Sequence, residues 1–198
     1  MVNYSNGQSY KPNKKLVPQK KKITNAGNRG MALENDINLS NDFYIQKGIA
    51  LFSKRPTPIN VVKVDYANGI RITDAYFEKH STTDYNGVYK GKYFDFEAKN
   101  TKSKTSFPLS NISSHQILHL KRVKEHGGIA FFIIQFESVQ EVYLLDAEYI
   151  INFYENKERS SIPYDCIKTN GILIKRSFNP RLKLIDAIEE KYFKIPKI

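Results

Sequence analysis

The 198-residue chain has no tryptophan, one cysteine (Cys166) and four scattered histidines. A single thiol excludes a disulfide framework and leaves too few sulfur ligands for a structural zinc site; a reducing cytoplasm is the simplest setting. His115 and His119 stand four apart on a predicted helix, but no third ligand lies near them for zinc. No apolar run approaches the length of a membrane span, and no signal-peptide pattern opens the chain. No Gly-rich phosphate loop is present, so a nucleotide cofactor is not expected. Acidic residues are also missing from one region, since none precedes Glu34.

That last absence organises the charge. The net charge is +11, and Lys11, Lys14, Lys15, Lys20, Lys21, Lys22 and Arg29 all lie before the first acid. The remainder carries 24 basic against 20 acidic residues. Residues 1 to 28 are rich in Asn, Gly, Ser, Gln and Pro and have little to bury, which predicts a basic disordered arm. Such an arm suits contact with a phosphate backbone, with Lys20, Lys21, Lys22 and Arg29 as its candidate DNA-binding residues. A solubilising tail is the alternative. Residues 29 to 198 are expected to form one domain.

Within that domain the pattern is mixed α and β. Leu33, Ile37 and Tyr44 recur at helical spacing from Arg29 to about Tyr44. A short buried strand is expected at Ile49 to Phe52. Two β-rich runs, Asn60 to Tyr66 and Ile70 to Phe77, flank the turn signal Ala67-Asn68-Gly69. A second hairpin is predicted around Lys90-Gly91, with strands at Val88-Tyr89 and Tyr93 to Lys99. A helix capped by Ser113 or Ser114 runs to Lys124 and closes at Gly127-Gly128. Ile129 to Phe136 is the most apolar strand and is expected at the centre. Val142 to Leu145 follows, then a helix capped by Asp146, and a last helix from about Arg181 to Phe193.

The residues that carry chemistry are Asp84 and, thirteen positions on, Glu97-Ala98-Lys99. Side chains alternate along a strand, so Tyr93, Asp95, Glu97 and Lys99 share one face and Phe94, Phe96 and Ala98 the other. Two carboxylates suit a hard divalent cation bound through oxygen, which fills its octahedron with waters and substrate phosphate. A lysine beside such an ion can orient the attacking water or stabilise the anionic transition state. A solvated strand face with a salt bridge is the plain alternative. Thr82, two residues before Asp84, can point to the same side. Gln116 by itself reads as a helix surface residue, and Glu34 as a surface acid. Beyond Lys99, Lys102 and Lys104 lie among Thr101, Ser103, Thr105 and Ser106, the residue types that phosphate contacts use.

The stretches Ser81-Thr82-Thr83-Asp84-Tyr85-Asn86-Gly87-Val88-Tyr89-Lys90-Gly91, Asp95-Phe96-Glu97-Ala98-Lys99, Lys104-Thr105-Ser106-Phe107-Pro108-Leu109 and His115-Gln116 resemble the RecU family of Holliday-junction resolvases. Asn28-Arg29-Gly30, Ser40-Asn41-Asp42-Phe43-Tyr44, Lys54-Arg55-Pro56-Thr57-Pro58 and Ala75-Tyr76-Phe77 extend the likeness over nearly the whole chain beyond the arm. The resemblance implies an α/β restriction-endonuclease-like core, a mixed central sheet flanked by helices. Where that superfamily usually has Pro-Asp, this chain has Thr83-Asp84. It implies Thr82, Asp84, Glu97 and Gln116 as metal ligands, Lys99 as the catalytic cation, and Glu34 as an acid that the first helix brings near the metal. It further implies Mg²⁺ as cofactor, with Mn²⁺ substituting, and a homodimer acting on four-way and branched DNA, in contact with recombinase and branch-migration proteins. The hairpin from about 60 to 77, with Arg55, Lys63 and Arg71, would be a stalk between the subunits entering the junction centre; an ordinary meander of the main sheet is the alternative. The activity implied is crossover-junction cleavage by paired nicks. The alternatives are a restriction or phage-processing nuclease of the same superfamily, and a non-catalytic branch-binding or strand-annealing protein.

Overall fold

The computed structural model describes residues 27–67, 69–77, 82–156 and 159–194, with the side chains of the first helix from residue 32 onward. Lys20, Lys21 and Lys22 lie outside the described residues, and the first helix, α1 (Gly27–Gln46), opens two residues before the expected domain start.

A six-stranded sheet organises the domain. Its strands are β1 (Leu51–Lys54), β4 (Tyr85–Tyr89), β5 (Lys92–Thr101), β7 (Ile129–Phe136), β8 (Glu141–Asp146) and β10 (Ile172–Leu173), side by side in that order. β5 and β7 run parallel, and the other neighbours are antiparallel, so the sheet is mixed. Helices cover both faces. α1 and α5 (Leu184–Ile188) pack on one, through Leu33, Ile37, Tyr44, Leu184 and Ile188. α2 (Ser114–Glu125), α3 (Ala147–Asn156) and α4 (Tyr164–Asn170) pack on the other, through Ile117, Leu120, Ile150 and Ile167. This is the expected α/β architecture, and the apolar run at 129–136 is central as expected.

The register of β5 decides where the chemistry can sit. Phe94 and Phe96 are buried on the α1 face, where Phe96 stacks on Phe131 at 4.8 Å and on Tyr85 at 5.0 Å. A slip of one residue would drive Asp95 and Glu97 into that aromatic core. Fully burying one phenylalanine is worth about 1.5–3 kcal/mol, so two of them hold the register firmly. The turn before β5 is built for it: Lys90 and Gly91 have φ of 46° and 70°, the left-handed pair a two-residue hairpin requires. Gly87 has a different reason. A Cβ there would lie 2.0 Å from the Leu51 carbonyl oxygen, so β1 can pair only against a glycine.

Some expectations shift. The strand placed at 49–52 begins at Leu51 and is a sheet edge, with Phe52 buried and Leu51 exposed. The last helix starts only at Leu184, because Arg176 to Leu182 forms a loop pinned to α1. There Ser40 Oγ accepts from the Leu182 N–H, Tyr44 OH donates to the Leu182 carbonyl, and Asp36 pairs with Arg176. Unforeseen elements are α4, β10 and the short antiparallel pair β6 (Ser106–Pro108) and β9 (Ser161–Pro163).

The hairpin of β2 (Ile59–Asp65) and β3 (Arg71–Phe77) forms a two-stranded sheet of its own and is not a meander of the main sheet. Every residue of β3 is exposed. Ile59, Val61, Val62, Ile70, Ile72, Tyr76 and Phe77 are apolar side chains left uncovered within one chain.

Candidate active site

Asp84 and Glu97 reach one place from different levels of the fold. Thr82 to Asp84 form the irregular stretch that leads into β4, while Glu97 is fixed by the β5 ladder. The backbone N–H of Asp84 donates to Glu97 Oε2 at 3.0 Å, which ties the stretch to the strand. An Asp84 oxygen in turn accepts from the Ala98 N–H at 3.4 Å. Thr82, Asp84, Glu97, Lys99 and Gln116 line an open cleft of about 600 Å³, together with Glu34, Asn100, Ser110, Asn111, Ser113 and His115. The structure therefore brings together every residue expected at the metal, with Glu34 at the cleft wall. Glu34 forms an ion pair with Lys54, a cation that its sequence surroundings do not mark out.

Glu97 is the most constrained of the set. It is 1% exposed, and its Oε1 takes hydrogen bonds from Gln116 Nε2 at 2.6 Å and Lys99 Nζ at 2.8 Å. Burial and the neighbouring Asp84 charge push its carboxyl up to about 7, against the opposing pull of Lys99. Two acids crowded so that one resists ionising is the electrostatic condition that a bound cation relieves. The donor set of two carboxylates, an amide and a hydroxyl suits a hard divalent ion. Gln116 has a second duty, because its oxygen accepts from the Ser113 N–H at 3.2 Å and so caps α2. Its amide nitrogen is the end that faces Glu97. Ligation by its oxygen requires the amide to turn or a water to intervene.

A second buried carboxylate lies two residues earlier on the same face of β5. Asp95 Oδ2 accepts from Arg55 Nη2 at 2.5 Å, Tyr93 OH at 2.8 Å and His119 Nε2 at 3.0 Å. Its other oxygen takes the Thr83 hydroxyl. Burial pushes this carboxyl up, but the hydrogen bonds from His119, Thr83 and Tyr93 and the Arg55 charge outweigh it and hold it below the usual range. Sequence reasoning put Arg55 on the hairpin as a cation; instead it turns inward at the hairpin's root. The signal for Asp95 was its place on the Glu97 face, and for His119 its position one turn beyond Gln116. His115 lines the cleft and His119 meets Asp95, so the pair does not converge on one point.

Lys102 and Lys104 are exposed in the loop after β5. The hydroxyls there have internal work: Thr101 Oγ1 accepts from the Ser103 N–H, and Ser103 Oγ from the Thr105 and Ser106 N–H groups. The two lysine side chains stand exposed beside these engaged N–H groups. Arg71 is exposed at the start of β3.

An acid on an irregular stretch, Glu-x-Lys on a parallel-paired strand and a capped helix beside them make up the candidate site. The family follows from sequence. Residues 28–190 match the profile described as Recombination protein U, and the chain belongs to this family. A Geobacillus sp. (strain WCH70) protein named Holliday junction resolvase RecU is 48% identical, over 96% of this chain and 97% of its own length. A Bacillus cytotoxicus protein of the same name is 47% identical, over 97% and 98% respectively. The 1.6 Å structure of Archaeoglobus fulgidus Hjc, a Holliday junction resolvase, aligns over 72% of this chain and 93% of its own, at 12% identity and a TM-score of 0.43.

Proposed function

We propose that this chain is an endonuclease that resolves four-way DNA junctions, acting in recombination and repair. The observation that carries the reading is the convergence of Asp84, Glu97 and Lys99 in one cleft, in a chain whose near-half-identical relatives are named Holliday junction resolvases. Thr82, Asp84, Glu97 and Gln116 would hold the divalent ion, Mg²⁺ with Mn²⁺ as substitute. When bound, it polarises the scissile phosphate and supplies hydroxide from water. Asp84 and Glu97 concentrate negative charge at a point that a cation must neutralise. Lys99, held by Glu97 and turned into the cleft, offers its ammonium to the charge that develops on the phosphate. The cytoplasm is the compartment that fits this work and the single thiol, and no described helix is long and apolar enough to cross a membrane.

Paired nicks require two sites. A junction is close to two-fold symmetric, so a homodimer with equivalent sites places cuts symmetrically. The uncovered apolar residues of the β2–β3 hairpin support its reading as a stalk, since an isolated two-stranded ribbon is marginal in water and such a patch marks an interaction surface. The arm before α1, Arg29, Arg71, Lys102 and Lys104 supply the phosphate contacts.

A gel assay with a synthetic mobile junction, the matching duplex and a single strand, each in Mg²⁺ or EDTA, tests the reading. Paired symmetric nicks in the junction alone, dependent on Mg²⁺, are expected. Cutting of duplex at a preferred sequence would assign a restriction-type enzyme, and junction binding without cutting a branch-binding protein.

A further inference from the structure

The β2–β3 hairpin leaves the main sheet after Arg55 and returns at Thr83, and both ends are held by one side chain. Arg55 Nη2 meets Asp95 Oδ2 at 2.5 Å on the outgoing leg. The Thr83 hydroxyl meets the other oxygen of the same carboxylate on the returning leg. The legs are also joined directly, since the Arg55 N–H donates to the Asp84 carbonyl at 2.8 Å. Asp95 is fully buried, and its two oxygens are saturated by four donors.

This arrangement has a consequence for Asp84. Thr82, Thr83 and Asp84 precede β4; Asp84 takes one backbone bond, from the Arg55 N–H just past β1, so its backbone depends on where Arg55 is held. Glu97, by contrast, is set within the β5 ladder, where it pairs with Phe132 of β7 and its neighbour Phe96 pairs with Tyr85 of β4. Asp95 and Glu97 are two residues apart on one rigid strand, a rise of about 6.5 Å. A carboxylate that grips Thr83 from that strand therefore measures out the place of Asp84 relative to Glu97. Thr83 points to Asp95 and is buried, while its neighbours Thr82 and Asp84 line the cleft.

We infer that Asp95 is a positioning residue: by clamping Thr83 and Arg55 it sets the spacing of the two metal-site carboxylates and fastens the root of the hairpin to them. The inference rests on the reading of Asp84 and Glu97 as a metal site. Neither Thr83 nor Arg55 can touch an ion in that cleft, yet loosening either leg lets Asp84 drift from Glu97. Arg55 thus belongs to the support of the site and not to its DNA surface.

The test uses the full-length protein and Mn²⁺ binding by calorimetry, without DNA. Thr83→Val keeps the shape and removes the hydroxyl, so Asp95 retains three of its four partners. It should raise the Mn²⁺ dissociation constant by about 10- to 100-fold, the usual cost of removing a group that orients a ligand. Thr83→Ser keeps the hydroxyl and should bind Mn²⁺ as the wild type does. Arg55→Gln loosens the other leg and should also weaken Mn²⁺ binding, while junction affinity in EDTA stays unchanged. Wild-type affinity in Thr83→Val, or equal loss in Thr83→Val and Thr83→Ser, overturns the clamp. So does an Arg55→Gln protein that loses junction affinity but keeps its Mn²⁺ affinity. A wild-type protein that takes up no Mn²⁺ sinks the metal-site reading itself, a result distinct from all of these.

Discussion

Lys99 Nζ lies 2.8 Å from Glu97 Oε1, the same oxygen that accepts the Gln116 amide at 2.6 Å. The lysine reaches the cleft because strand alternation puts it one step above Glu97 on the same face, and the carboxylate then holds it there. One acid thus serves two ends: it faces the proposed ion and steadies the cation that would act on the phosphate. Removing Glu97 would disturb both, whereas removing Lys99 leaves the carboxylates in place.

Asp84→Asn and Glu97→Gln should each reduce junction cleavage to background while leaving junction binding in EDTA near wild type. Each keeps the volume and deletes a charge from the proposed cation site. Lys99→Ala should lower the cleavage rate by about 10²–10³-fold, the scale seen when one group that stabilises transition-state charge is removed. Its Mn²⁺ affinity should be retained. Cleavage by the Asp84 or Glu97 variant at a wild-type rate would remove them from the site, and loss of Mn²⁺ binding in Lys99→Ala would contradict its assignment.

Glu97 also sets a pH dependence. Its folded value is raised, from 4.5 to about 7, by burial and by the Asp84 charge. A raised acid binds its proton more tightly folded than unfolded, so its contribution favours the folded state below the unfolded value and is lost as pH rises towards 7. In EDTA, the stability of the wild type relative to Glu97→Gln should therefore fall between about pH 4.5 and 7 and then level. Mg²⁺ competes with that proton, so its affinity should climb through the same window. Denaturant melts at several pH values with and without Mg²⁺ measure both; a flat difference would show that Glu97 ionises normally.

The site was legible because its residues are local in sequence or fixed by alternation: Glu97 and Lys99 share a face by period, and Lys90-Gly91 announces the hairpin before them. The Ser113 cap of α2 was likewise readable. Arg55 was misplaced because nothing in its neighbourhood tells an inward guanidinium from an outward one; its partner Asp95 is 40 residues away and buried. The late start of α5 has a similar cause. Ser40, Tyr44 and Asp36 hold the preceding loop from the far end of the chain, and such tertiary contacts override the helical spacing around Leu182.

Deleting residues 1 to 28 removes six lysines and keeps Arg29. Affinity for junction, duplex and single strand should drop by similar factors. The slope of log K against log salt should become shallower by up to about 0.9 for each duplex phosphate that the arm no longer neutralises. Fluorescence anisotropy across a salt series reads the slope, and an unchanged value would make the arm a solubilising tail.

Removing the hairpin tests whether selectivity and chemistry reside in different parts of the chain. Among the described residues its strands pair only with each other, and Thr82 and Asp84 lie beyond it. Replacing residues 60 to 77 with a short Gly-Ser turn removes the apolar surface and Arg71 but keeps Arg55, Thr83 and the metal residues. Duplex binding should survive, while preference for the four-way junction and its cleavage should fall sharply. Arg71→Ala is the milder probe, since that exposed cation begins β3 where a stalk would meet crossover phosphates. It should weaken junction binding more than duplex binding. Sedimentation and competition gels on the same samples check that the shortened protein still folds and show its oligomeric state. If it keeps the wild-type preference for junctions, the hairpin does not enter the crossover, and its apolar residues serve contacts between protein chains alone.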